Sequence, residues 1–157
     1  MAVLAIAAGV LAAPSPSRAE GRTPVTWTRI DVPATEGAAT LEKTLKKLLD
    51  QAARKASFGK AKNVSLSVKV TELVSETKGD VHRVSCTIVG RVPGGPSAKS
   101  RISFGGSPAD KAKLEKQVLT MVANAVVTRL AEIVRSRAAK EARDAEKASE
   151  SEQAAGE

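Results

Sequence analysis

Tyrosine is absent from this chain of 157 residues, and its aromatics are one tryptophan and two phenylalanines. So few rings argue against the sheet-type nucleic-acid binders, which stack bases on aromatics of an open face. Cys86 is the only cysteine and His82 the only histidine. One thiol makes no internal disulfide, and one histidine without ligand-spaced carboxylates makes no zinc site. No Gly-x-Ser-x-Gly, Walker loop or Gly-x-Gly-x-x-Gly occurs, which removes the nucleophile elbow and the common phosphate cradles. The expectation is therefore a protein that is not an enzyme and uses no cofactor or metal. A minimal hydrolase built on His82 and a nearby acid is the one catalytic alternative.

Residues 2–13 are apolar and are followed by Pro14-Ser15-Pro16 and Ser17-Arg18-Ala19. Small residues at 17 and 19 suit a signal peptide over 1–19 cut after Ala19. The run is shorter than the ~20 residues a bilayer span needs. No Lys or Arg precedes it, which departs from the usual basic start of such signals. No cysteine stands at the cut, so a lipid anchor is not expected. The chain reads as periplasmic or secreted, with no transmembrane span once the signal is removed.

Residues 63–106 show period-two alternation. Val64, Leu66, Val68 and Val70 alternate with Ser65, Ser67, Lys69 and Thr71. His82, Val84, Cys86, Ile88 and Val92 alternate with Arg83, Ser85, Thr87 and Arg91; Ala98, Ile102 and Phe104 alternate with Lys99, Arg101 and Ser103. One oily and one polar face predicts three half-buried antiparallel strands. The breaks at 76–80 and 93–97, rich in Gly and Pro, predict hairpins. Cys86 and His82 fall on the oily face, the thiol as a small apolar residue.

An earlier strand is expected at 24–32. Its phase is ambiguous, because Trp27 alternates away from Ile30 and Val32; a bulge or a second packed face would reconcile them. Between the strands, Leu41, Leu45, Leu48, Leu49, Ala52 and Ala56 define one face of a helix over about 35–57. Thr35 or Thr40 is its candidate cap and Gly59 its end. A second helix starts at Ser107-Pro108, with Asp110 in its first turn. Its stripe, which includes Leu114, Val118, Met121, Val122, Val126 and Leu130, is broad enough to be covered on two sides.

The predicted fold is α+β, a two-layer sandwich of a four-stranded, mainly antiparallel sheet with two helices on one face, in the order β-α-β-β-β-α. The domain is expected over 22–137. Residues 138–157 form a charged helical or disordered tail, fraying after Ser149 and lacking the leucine or isoleucine core of a coiled coil. Where the first strand joins the sheet is open, and nothing sets an oligomeric state.

The formal net charge is +8, and part of it has a direction. Lys69, Arg83, Arg91, Lys99 and Arg101 share the polar sheet face with Ser and Thr, and acids enter only at the strand ends, Glu72 and Asp80. Such a surface suits an anionic lipid, an acidic glycan or an acidic envelope protein, and an edge strand of the sheet is the other expected point of engagement. The plain alternative is a solvated face kept soluble by charge. A nucleic-acid partner is not expected, since the face has no aromatic and the leader directs export.

The element order, with phrases such as Thr40-Leu41-Glu42-Lys43-Thr44-Leu45 and Val64-Ser65-Leu66-Ser67-Val68-Lys69-Val70, resembles small bacterial envelope domains. Examples are the lipopolysaccharide-assembly lipoprotein of the outer-membrane translocon and the N-terminal domain of the Tol-Pal protein TolB. The resemblance spans about 24–137 and implies a non-enzymatic binding or assembly module. It brings no functional residue with it, and the lipoprotein's anchoring cysteine has no counterpart here. The alternative function is a scaffold acting through the charged C-terminal helix.

Overall fold

The structure, a computed structural model, describes residues 23–154. The expected signal peptide lies outside them. Strand β1 (Val25–Asp31) leads into helix α1 (Ala38–Lys55); β2 (Val64–Lys78), β3 (Val81–Arg91) and β4 (Ser97–Gly106) follow, then a 3-10 turn (Pro108–Asp110) and α2 (Lys111–Ala154). The architecture is the predicted α+β one. The sheet runs β1-β2-β3-β4, with β1 parallel to β2 through the α1 crossover and the other pairs antiparallel.

Turn chemistry sets both hairpins. Lys78 pairs with Val81 across Gly79-Asp80, and Gly79 has φ +58°, the left-handed first position that a two-residue loop needs. The second hairpin turns through Val92-Pro93-Gly94-Gly95, closed by Gly95 N–H donating to the Val92 carbonyl at 2.9 Å. Proline followed by a glycine at φ +65° is the type II signature.

Both helices pack on one sheet face. Leu45, Leu49, Leu66, Ile88, Val118, Val122, Val126 and Leu130 are fully buried there. The stripe of α2 is wide because it meets β3 and β4 on one side and α1 on the other. It settles closely where a side chain is missing: a Cβ on Gly90 would lie 2.7 Å from Leu130 Cδ1 and 3.0 Å from Val126 Cγ2. Among the described residues, one helical stretch, Pro108–Ser149, is long and apolar enough to cross a membrane, and half of its most apolar window is buried inside the fold. That is the signature of this core helix.

Several local expectations are corrected. Neither Thr35 nor Thr40 caps α1 with its side chain; Gly37 holds the N-cap position at φ 90°. Ser107 does cap the next helical segment, accepting from Ala109 N–H at 3.3 Å, but the first turn is 3-10 and α2 proper begins at Lys111. Phe104 and Met121, assigned to the apolar faces, are 42% and 37% exposed because β4 is an edge strand and its flank is open. Helix α2 continues past Ser149 to Ala154, and its side chains from 138 to 149 are exposed.

Candidate functional site: the open sheet face

Two β-bulges decide what this face displays. In the first, Trp27 pairs with Leu66 and Arg29 with Ser67, which leaves Thr28 as an extra residue. In the second, Val70 pairs with Ile88 and Glu72 with Thr87, which leaves Thr71 extra. Each bulged threonine donates its hydroxyl to a carbonyl of the partner strand: Thr28 to Leu66 at 3.1 Å, Thr71 to Thr87 at 3.3 Å. An extra residue reverses the alternation of everything after it.

The first bulge resolves the phase of β1. Val25, Trp27 and Ile30 all pack against the core, and Trp27 Nε1–H donates to Asp50 Oδ1 of α1 at 2.7 Å. Arg29 and Asp31 therefore face outward, beside Ser67 and Lys69. The second bulge turns Leu73 toward the core side, opposite Cys86, and Glu72 outward, opposite Thr87. This corrects the view that acids occur only at the ends of the face. Glu72 sits mid-sheet, accepts from Thr87 Oγ1 at 3.0 Å and lies 3.6 Å from Arg101 Nη2.

The cross-strand rows place the five predicted bases. One row is Arg29-Ser67-Arg91-Ser97, the next Asp31-Lys69-Val89-Lys99, and the one beyond is Glu72-Thr87-Arg101. Arg83 stands near the hairpin tip in the row Glu76-Arg83-Gly105, roughly 27 Å along β3 from Arg91 at 3.4 Å per residue. Lys69, Arg91 and Lys99 thus gather at one end, Arg101 is held by Glu72, and Arg83 is remote. The missed residues are Arg29 and Asp31, while Glu72, expected at an end of the face, stands within it. The signal for Arg29 and Asp31 was the phase conflict in 24–32, and that for Glu72 the break of alternation between Val70 and Leu73.

The gathered end contains a depression of about 390 Å³ lined by Arg29, Asp31, Ser67, Lys69, Thr71 and Arg91, among others. Arg29 Nε–H donates to Asp31 Oδ1 at 2.7 Å. Lys69 and Arg91 form no ion pair among the described residues.

The remaining candidates for chemistry are internally satisfied or inert. His82 is 1% exposed, with Nε2 3.0 Å from Ser75 Oγ and Nδ1 2.7 Å from Thr77 Oγ1; both ring nitrogens are used within the β2–β3 hairpin. Burial, then the nearby Glu72 carboxylate, pushes the Cys86 thiol up to about 11, away from thiolate reactivity. Among the described residues no group of three or more His, Cys, Asp or Glu could hold a metal ion.

No protein-family model matches the sequence, and no curated protein does. Solved structures give weak likenesses. The Xanthomonas campestris protein XCC0632 is 14% identical, with 84% of this chain and 96% of that one covered and a TM-score of 0.46. PelC from Paraburkholderia phytofirmans, solved as a dodecamer, is 13% identical over 73% and 95%, with a TM-score of 0.42. A minor lipoprotein from Acinetobacter baumannii is 14% identical over 74% and 93%, with a TM-score of 0.34. At these identities the likeness concerns chain path alone.

Proposed function

We propose that this protein is an exported, non-enzymatic binding or assembly module of the bacterial cell envelope, periplasmic or secreted after cleavage at Ala19. It engages an anionic partner, a lipid, a glycan or an acidic envelope protein, through the outer face of its sheet. One observation carries the proposal. Both helices cover the same side, so the other side is left to water with Lys69, Arg83, Arg91 and Lys99 free of ion pairs among the described residues. A free cation above a hydroxyl-rich surface is available to a partner; one neutralised within the fold is not. The leader pattern supports the location, and the resemblance to the lipopolysaccharide-assembly lipoprotein and the TolB domain supports an assembly role.

The test is charge reversal. Arg83, Arg91 and Lys99 changed together to Glu should abolish capture of an anionic envelope partner by in-cell crosslinking, with folding unchanged by circular dichroism. Undiminished capture would count against the face. Mass spectrometry of the mature N-terminus reads the cut directly.

The scaffold reading draws on the exposed helical segment 138–149, which runs beyond the core. Deleting residues 138–157 separates the two: partner loss then assigns binding to the tail, and retention assigns it to the sheet.

A further inference from the structure

The depression at the Arg29 end has a composition of its own within the charged face. Arg29 and Arg91 are opposite Ser67 on the strands to either side of it, so their backbones are rooted about 10 Å apart with a small residue between. Lys69 rises from the next outward position of β2. Three cations from three strands thus surround a serine floor. Ser67 is half-buried, and its hydroxyl has no hydrogen-bond partner among the described residues. Asp31, the one carboxylate in the lining, holds Arg29 through Nε, which leaves both terminal amino groups of that guanidinium to donate elsewhere.

We infer that this depression is a phosphate-binding site, in which Arg29, Lys69 and Arg91 surround the anion and the Ser67 hydroxyl donates from below. The inference rests on the outer face being the binding surface and names the chemistry it takes. A carboxylate is planar and is satisfied by one guanidinium fork. A phosphate group presents oxygens in several directions and matches donors converging from separate strands. Three cations against one carboxylate leave a net positive charge, suited to a phosphate ester. The volume of about 390 Å³ lies within the range of small-molecule pockets, and Val89 on the same lining adds an apolar flank. The phosphate comes from a lipid headgroup or from a soluble phosphorylated molecule, and the two sources separate experimentally.

Inorganic phosphate titrated into the isotope-labelled full chain should move the amide resonances of Ser67, Lys69, Thr71 and Arg91 saturably. Lys69→Gln and Arg91→Gln, both at exposed positions, should each weaken binding about tenfold, the order expected for one charge-assisted bond. Arg83→Gln, at the remote end, should leave it unchanged. Sedimentation with phosphatidylglycerol but not phosphatidylcholine vesicles, competed by phosphate and weakened to the same degree in Lys69→Gln, assigns the lipid source. Phosphate binding without vesicle binding assigns the soluble one. Unmoved amides, or an Arg83→Gln loss equal to that of Lys69→Gln, overturn the site. If the triple reversal still abolishes partner capture in that case, the face remains a binding surface, for carboxylates of a protein partner.

Discussion

Thr87 and Ile88 are neighbours on β3 and are both almost inaccessible, at 2% and 0% exposure, yet different things cover them. Ile88 lies beneath the helix layer. Thr87 points to the open side, in a row between Glu72 and Arg101, side chains that are 40% and 63% exposed. Burial under α2 is close packing; burial under an ion pair at 3.6 Å is shelter from chains that can swing aside. Low accessibility on the outer face is therefore compatible with a surface that opens to a partner, and the two faces should respond differently to the same truncation.

The largest effect tests that contrast directly. Ile88→Ala should destabilise by about 2–5 kcal/mol, because packed neighbours leave a cavity. Thr87→Ala should cost only about 1 kcal/mol, for one hydrogen bond to Glu72. Chemical denaturation reads both, and equal losses would erase the distinction. Next is Gly90→Ala, where the added methyl meets Leu130 and Val126. Overpacking there should cost about 1–3 kcal/mol; a neutral result would mean that α2 sits more loosely on the sheet than the structure has it.

The smallest effect is confined to alkaline pH. The Cys86 thiol is held near 11 against an ordinary 9.0. Between those values the unfolded chain loses a proton that the folded chain keeps, so stability falls as pH rises through that window. Below it the thiol contributes no slope. Thermal melts of Cys86→Ala should lack this part of the decline. Parallel curves would show that the thiol is not desolvated in the fold.

The three-strand run at 63–106 was legible because strands with one buried face must alternate, and Val64-Leu66-Val68-Val70 does so without interruption. The helices were legible from the spacing of Leu41, Leu45, Leu48 and Leu49, and of Val118, Val122 and Val126. Phe104 was misjudged because alternation reveals side but not depth: it lies on the helix-facing side of the edge strand and is still 42% exposed. The site was half legible. Lys69, Arg91 and Lys99 could be placed together, whereas Arg29 and Asp31 could not.

Local pattern alone determined the elements, their order, the hairpin turns and which side of β3 and β4 is oily. These follow from backbone periodicity and turn sterics, which act over a few residues. Tertiary structure decided the rest: β1 beside β2, the two threonine bulges, the pairing of Glu72 with Arg101, and the meeting of Arg29 with Lys69 and Arg91. A bulge is a mismatch in residue count between two strands set by their pairing, so a strand's own sequence shows at most a broken alternation, as in 24–32, and not the partner that resolves it.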